Sequence, residues 1–329
     1  MPSFMPLCAA AALTSFSATA ADTLTVYTYD SFAADWGPGP VVKQAFEAQC
    51  DCTLNFVALD DGVSILNRLR LEGDNSKADI VLGLDNNLMA EAQQTGLLAE
   101  HSVDTSSVTL PGGWSNKTFV PYDYGYFAFI YNKETLAEPP TSLKALVESS
   151  DGLTVIYQDP RTSTPGQGLM LWMKSVYGDE APQAWKALAK KTVTVTKGWS
   201  EAYSMFLKGE SDMVLSYTTS PAYHLIAENE AKFAAANFAE GHYTQVEVAA
   251  KVKTSANSEL ADAFMQFILS DDFQSAMPTG NWMYPVTDVA LPEGYQSLTE
   301  PSQALSFSAE EVATHRKAWI REWQNALTF

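Results

Sequence analysis

The sequence is poor in basic side chains, with 20 Lys and Arg against 39 Asp and Glu among its 329 residues. The formal net charge of −19 creates a negative field that repels phosphate backbones, so nucleic acid is a poor partner for this chain. The same field attracts cations, although solubility in a crowded compartment is the simpler explanation of the acidity.

Short motifs of common catalytic and metal sites are also missing. The sequence has no Gly-x-Ser-x-Gly elbow, no His-Glu-x-x-His pair and no glycine-rich Walker loop. Carboxylates are abundant, but no spacing singles out an acid and base pair among Asp60, Asp61, Asp85 and Asp123. The histidines are scattered along the chain, at His101, His224, His242 and His315. We therefore predict a protein that is not an enzyme and that has neither a metal site nor a cofactor.

Long hydrophobic runs are absent except near the N-terminus. Residues 1–21 have an apolar middle and end in Ala18-Thr19-Ala20, the small-x-small pattern that signal peptidase reads. No Lys or Arg precedes the apolar part, which departs from the usual leader. We still predict a signal peptide over 1–21, cleaved after Ala20 or Ala21. No other stretch approaches the roughly 20 apolar residues that cross a bilayer, so we expect the mature chain to be soluble.

Cysteine is scarce, with three in the whole sequence. Loss of the leader removes Cys8 and leaves Cys50 and Cys52 in an oxidising compartment, where a bond between them is the only intramolecular option. A separation of two residues would strain such a ring, so the sequence leaves this pairing open.

The length predicts two α/β lobes, because a chain of 329 residues exceeds the usual single core. There is no internal repeat, no Gly/Ser linker and no charge block. Predicted strands alternate with predicted helices, which favours parallel sheets with crossover helices. The strands are predicted over 24–29, 53–59, 79–84, 154–158, 193–196 and 212–217. The helices are predicted over 41–48, 63–71, 88–95, 168–177, 182–191 and 200–208, and a last one after a capping box of Ser308 and Glu311.

Two further β-rich stretches, 126–131 and 246–250, interrupt this alternation, and we interpret them as crossings between the lobes. The first lobe is then predicted over 22–126 plus about 250–280, and the second over 127–249 plus about 281–329. The carboxyl ends of parallel strands share one edge of their sheet, so two facing edges would form a ligand cleft.

Several turns at these strand ends also begin helices, whose first N–H groups are unpaired and favour an anion. Asp61-Gly62 and Ser163-Thr164 are the best candidates for holding a phosphate, because small residues let the backbone approach and the hydroxyls add donors. Ordinary N-capping by Asp, Ser and Thr explains the same residues and remains the alternative.

Aromatic side chains gather beside the same turns. They are Tyr29, Trp36, Trp199, Tyr217, Tyr223 and Trp282. Aromatic faces stack on heterocycles and attract cations, with about 0.5 to 2 kcal/mol for each good cation contact. One such residue would be explained by core packing, but six beside one predicted cleft favour a flat, cationic or aromatic ligand.

Longer stretches resemble the periplasmic thiamine-binding proteins and cover essentially the whole mature chain. They are YTYDSFAADWGPGP at 27–40, DGVS at 61–64, LGLDNN at 82–87, PYDYGY at 121–126, YQDPRTSTPG at 157–166, KGWSEAY at 197–203, LSYTTSP at 215–221 and PTGNWMYP at 278–285. The resemblance implies a type II periplasmic binding protein fold, with mostly parallel central sheets and a cleft between two lobes.

The resemblance also implies a function and a set of contacts. The function would be that of the receptor of an ATP-driven importer, which binds thiamine, thiamine monophosphate and thiamine diphosphate and is recognised by a membrane permease. The implied ligand contacts are Asp61, Gly62, Ser163, Thr164, Trp199, Tyr217, Thr218, Thr219 and Ser220. Further contacts are implied at Tyr29, Trp36, Tyr223 and Trp282. The lobes would close on the vitamin, with Trp199 and Tyr217 on its rings and Ser163, Thr164 and Ser220 at its hydroxyethyl or phosphate end.

Two other functions remain open at this point. A thiamine-degrading transferase of the same fold class would need a cysteine nucleophile in the cleft. A receptor for another cation, such as a polyamine or ferric iron, is the second alternative. Iron receptors of this class usually present adjacent tyrosines, and this chain has no Tyr-Tyr pair.

Overall fold

The computed structural model describes residues 22–111, 113–149 and 152–327. The predicted signal peptide therefore lies outside the described residues. Within the described ranges, every helix is too short or too polar to cross a membrane.

The strands follow the predicted pattern closely. They are β1 (Asp22–Tyr29), β2 (Cys52–Leu59), β3 (Ile80–Asp85), β4 (Phe119–Asn132), β5 (Val155–Gln158), β6 (Thr192–Thr196), β7 (Met213–Tyr217), β8 (Phe233–Ala235), β9 (His242–Lys251), β10 (Tyr284–Pro285) and β11 (Ala304–Leu305). The predictions at 126–131 and 246–250 were too short, because β4 and β9 extend well beyond them, and the short strands β8, β10 and β11 were not predicted.

The helices alternate with these strands. They are α1 (Asp30–Ala33), α2 (Gly39–Glu47), α3 (Gly62–Glu72), α4 (Met89–Gln93), α5 (Leu143–Glu148), α6 (Thr164–Tyr177), α7 (Ala181–Ala189), α8 (Trp199–Leu207), α9 (Pro221–Ala227), α10 (Ser258–Phe267), α11 (Asp271–Gln274) and α12 (Ala309–Leu327).

Two helix starts show how local caps decide the boundaries. Helix α6 begins at Thr164, earlier than predicted, because the Ser163 hydroxyl accepts a hydrogen bond from the Gly166 N–H at 3.3 Å. At α12 the predicted cap is present, with the Glu311 N–H donating to the Ser308 hydroxyl at 3.2 Å. Helices α1, α5, α9, α10 and α11 were not predicted from the sequence.

The sheet runs in the order β2-β1-β3-β9-β4-β7-β5-β6. Strand β1 pairs in parallel with β2 and β3, and β5 pairs in parallel with β6 and β7. Between these two parallel groups, β4 and β9 are antiparallel to each other and to their outer neighbours. The result is a mixed α/β sheet: the predicted parallel pairing holds in the two outer groups, while β4 and β9 between them pair antiparallel.

Two large hydrophobic cores lie at opposite ends of β4 and β9. Strand β4 contributes Phe119 to the first core and Phe129 to the second, while β9 contributes Val248 to the first and Tyr243 to the second. We call the parts built around these cores the first lobe (β1, β2, β3, α2, α3, α10) and the second lobe (β5, β6, β7, α6, α7, α8, α12). The exact domain boundaries remain a prediction.

Cys50 and Cys52 are joined by a disulfide between the end of α2 and the start of β2. This is the amino end of β2, whereas the turns at the cleft follow the carboxyl ends of the strands.

Candidate functional site

A cavity of about 390 Å³ lies between the lobes at the carboxyl ends of the strands. This is a usual size for a small-molecule pocket. The predicted residues on its wall are Tyr29, Trp36, Asp61, Thr164, Trp199, Tyr217, Ser220, Tyr223 and Trp282. Side chains from both lobes therefore face one shared space, as a cleft receptor requires.

Four predicted contact residues lie behind this wall. Gly62, Ser163, Thr218 and Thr219 are buried and are absent from the cavity lining. Ser163 and Gly62 instead bond the carboxylate of Asp61, and the Thr219 hydroxyl lies 3.8 Å from the sulfur of Met283. Their direct contact with a ligand stays a prediction.

Asp61 links the two lobes. Its Oδ1 accepts from the Gly62 N–H at 2.7 Å in its own lobe and from the Thr164 N–H at 3.2 Å in the other. Its Oδ2 accepts from the Ser163 hydroxyl at 2.8 Å and from the Trp199 N–H at 3.2 Å. Burial raises the pKa of Asp61 to about 6, and these hydrogen bonds oppose that rise. The helix N-termini that the sequence assigned to a phosphate thus surround a carboxylate of the protein itself.

Two glycines allow the turns of opposite lobes to meet this closely. A Cβ on Gly62 would lie 2.6 Å from the Thr164 methyl group, and a Cβ on Gly198 would lie 2.4 Å from the Asp60 carbonyl oxygen. The Ser64 N–H also donates to the Thr162 carbonyl at 3.0 Å across the cleft. The structure is therefore a closed form, in which larger residues at either glycine would separate the lobes.

The aromatic wall is organised differently from the predicted sandwich. The Trp199 ring stacks on Tyr203, with centroids 4.9 Å apart, and its Nε1–H donates to the Ser216 hydroxyl at 2.7 Å. Trp36, from the first lobe, lies 6.4 Å from Trp199 at the cleft and is 58% exposed. Tyr217 packs against buried Phe127 at 5.2 Å. Since one face of Trp199 is covered by Tyr203, a ligand ring has only its other face or edge to contact.

Trp282 has a strained backbone, with φ 57° and ψ 36° in the left-handed region. It follows a single π-helical turn, Met277–Asn281, and its ring lies 5.4 Å from that of Tyr223. Left-handed non-glycine residues and isolated π-turns are both enriched at functional sites. The strain at Trp282 is consistent with a ring that the fold holds in place for the cavity.

The floor of the cavity carries a carboxylate that sequence reasoning missed. Glu247 of β9 lines the cavity, is 4% exposed, and accepts at Oε2 from the Tyr29 hydroxyl at 2.7 Å and the Tyr122 hydroxyl at 3.0 Å. Burial raises the pKa of Glu247 to about 7, and burial together with Glu247 raises the pKa of neighbouring Asp123 well above its ordinary value. The available signal was a single carboxylate inside the apolar stretch Val246-Glu247-Val248.

Other wall residues were also missed, among them Tyr203, Asn281 and Met283. Tyr203 could have been found, because it lies one helical turn after Trp199 on α8 and so shares its face. Asn281 and Met283 lie in the irregular turn before β10. Such a turn has no repeating sequence pattern from which it could be predicted.

The chain has two lobes joined by crossing strands, with a cavity between them that is lined by aromatic rings and carboxylates. This arrangement is that of the two-lobed solute-binding proteins. A family model described as bacterial extracellular solute-binding protein matches residues 31–275. The chain is 67% identical over 305 residues to the thiamine-binding periplasmic protein of Escherichia coli strain K12, covering 93% of each chain. It is 52% identical over 309 residues to that of Brucella suis biovar 1, covering 93% of this chain and 92% of the relative.

A solved structure of a periplasmic thiamin binding protein superposes with a TM-score of 0.93 at 66% identity, covering 94% of this chain and 97% of the other. The chain therefore belongs to the thiamine-binding periplasmic protein family, as its motifs indicated. Its fold is the type II periplasmic binding protein fold that the same motifs implied.

Proposed function

We propose that this protein is a periplasmic receptor that binds thiamine, thiamine monophosphate and thiamine diphosphate between its lobes and delivers them to an ATP-driven inner-membrane importer. The observation that carries the proposal is the shared cavity: Trp199, Tyr217, Tyr29 and Trp282 offer aromatic faces while Asp61 and Glu247 offer negative charge. A flat, positively charged vitamin matches both features. Relatives named for thiamine binding support the same ligand.

The closed form supports the receptor role. Ligand contacts come from both lobes, so a ligand that touches both stabilises the closed form by its differential affinity for it. A membrane permease would then recognise the closed shape. The names of the relatives also support the periplasm as the place where the protein acts, and export would depend on the predicted signal peptide.

A binding role without catalysis is part of the proposal. A transferase of this fold would need a cysteine at the cleft, whereas Cys50 and Cys52 are bonded to each other at the amino end of β2 and neither lines the cavity. We assign the protein no cofactor, since thiamine and its phosphates are cargo that leaves unchanged.

Calorimetric titration of ligand-free mature protein with thiamine, its two phosphates and spermidine tests the proposal. We expect tight one-to-one binding of the thiamine compounds and little or no heat with spermidine. Chromatography of the mixture after incubation should return intact thiamine. Binding of spermidine alone would indicate a polyamine receptor, and cleavage of thiamine would show that the protein is an enzyme.

A further inference from the structure

The floor of the cleft holds two carboxyl groups in an unusual arrangement. Asp123 on β4 and Glu247 on β9 are paired residues of antiparallel strands, and their carboxyl groups are close enough to hydrogen bond to each other. Asn281 Nδ2 donates to both, to Asp123 Oδ2 and, at 3.1 Å, to Glu247 Oε2. Like charges directly opposite each other on neighbouring strands destabilise a sheet unless one of them is neutral.

The hydrogen bonds show which group is neutral. Asp123 is fully buried, and its Oδ1 has no hydrogen-bond donor among the described residues. Glu247 accepts from Tyr29, Tyr122 and Asn281 at Oε2 and from Gln245 at Oε1, so donors surround its charge. A proton on Asp123, donated to Glu247, leaves a single negative charge on the pair.

No cation of the protein balances that charge. Neither Asp123 nor Glu247 takes part in an ion pair within the described ranges, and the hydrogen-bond partners of both are neutral. The other titratable groups that face the pair are acids: Tyr29 of β1, Tyr122 of β4, Tyr217 of β7, Asp61, and Asp85, which is paired with Glu247 across β3 and β9. A buried charge without a partner is costly, and Glu247 opens onto the cavity.

We propose that Asp123 and Glu247 act as a proton-sharing pair that selects an organic cation, whose positive charge lies against Glu247, and that binding of the cation releases the pair's second proton to solvent. The inference rests on the proposed function and adds the determinant of charge selectivity. In the free protein at mildly acidic pH the pair carries two protons and no charge. The bound state carries one proton on Asp123 and a charged Glu247 opposite the cation. One O–H bond of Glu247 is broken and the proton passes to the buffer.

Titration of the full mature protein with thiamine at about pH 6 and about pH 8, in two buffers of different ionisation enthalpy, measures this coupling. Burial raises the pKa of Glu247 to about 7, which lies between these two pH values. We therefore expect the affinity for thiamine to be about tenfold weaker at about pH 6 than at about pH 8. Release of close to one proton should accompany binding at the lower pH and little at the higher. Equal affinity at both values without proton release would overturn the inference while leaving thiamine binding, and so the proposed function, intact.

Variants assign the effect to the pair. In Asp123→Asn the amide imitates the protonated acid while Glu247 stays buried and keeps its own ionisable proton, so we expect proton release at about pH 6 to persist, and replacing Glu247 as well should abolish it. In the double variant Asp123→Asn with Glu247→Gln no charge remains, and we expect at least tenfold weaker binding of thiamine at about pH 8. Wild-type affinity in that variant would overturn the inference. A cooperative thermal unfolding transition without ligand, like that of the wild type, would show that the double variant is folded.

Asp85→Asn is the matched control. Asp85 is also a buried carboxylate, pairs with Glu247 across β3 and β9, and has a pKa raised by burial to about 6, but it does not line the cavity. Proton release should persist in this variant. If Asp85→Asn abolished it instead, the coupling would belong to Asp85 and not to the pair. Asp61→Asn, tested in parallel, measures how much of the proton release comes from Asp61, the other carboxylate on the cavity wall.

Discussion

The carboxylate of Asp61, at the end of β2 in the first lobe, accepts a hydrogen bond of 2.8 Å from the hydroxyl of Ser163, the N-cap of α6 in the second lobe. The same carboxylate reaches the first N–H of α8 at Trp199. One side chain therefore joins three helix N-termini, those of α3, α6 and α8, and it does so only when the lobes are closed. Closure of the lobes therefore places the carboxylate of Asp61 at the positive ends of these helices.

Asp61→Asn tests this coupling. The amide nitrogen would replace one carboxylate oxygen and face the donors of Ser163 or Trp199, and an unpaired buried donor costs about 1–3 kcal/mol. We expect roughly tenfold or greater loss of thiamine affinity, and a larger radius of gyration by small-angle scattering. The neighbouring Asp60→Asn, at an exposed position, is the control and should bind like the wild type. Equal losses of thiamine affinity in both variants would attribute the effect to the removed negative charge and not to the hydrogen bonds between the lobes.

Gly198→Ala should obstruct closure by sterics alone. A Cβ at this position would lie 2.4 Å from the Asp60 carbonyl oxygen of the other lobe, and backbone atoms cannot yield easily. We expect weaker thiamine binding with little change in the melting temperature of the ligand-free protein. Gly209→Ala, where the Cβ meets open space but φ is +78°, should do the opposite and lower stability without changing affinity. Unchanged affinity in Gly198→Ala would mean that the bound state is more open than this structure.

Trp199→Ala removes the ring between Trp36 and Tyr203. If that ring contacts the vitamin, titration should show binding weaker by about 1–3 kcal/mol. Trp199→Phe keeps an aromatic face but loses the bond to the Ser216 hydroxyl, so its loss should be smaller. Leu71→Ala, at a residue that is 88% exposed and away from the cavity, is the control. An unaltered affinity in Trp199→Ala would remove this ring from the binding site.

Replacing both Cys50 and Cys52 by Ser separates a receptor from a transferase. The disulfide lies at the amino end of β2 and neither residue lines the cavity, so we expect unchanged thiamine affinity. The melting temperature is the second measurement, since loss of the bond acts on folding and not on the cleft. A marked loss of affinity in a folded variant would contradict the proposed function.

Some features could be predicted from the sequence because they depend on neighbours along the chain. Alternating strands and helices, the turn residues after each strand and the Ser308 cap are local patterns, and they predicted the α/β class and the edge where the cavity lies. Trp199 and Tyr217 could be named because each sits at a predicted strand or helix end. The family motifs added the fold, the ligand class and the remaining contacts.

Only the tertiary structure decided how those turns face one another. That Asp61 accepts hydrogen bonds from the helix N-termini of the other lobe depends on packing between segments about 100 residues apart. The pairing of Asp123 with Glu247 depends on the register of β4 against β9, which no local pattern fixes. The sequence thus determined the edge of the sheet where the cleft lies, while strand register and lobe contact determined which side chains meet there, because both depend on the burial of cores that form only in the folded chain.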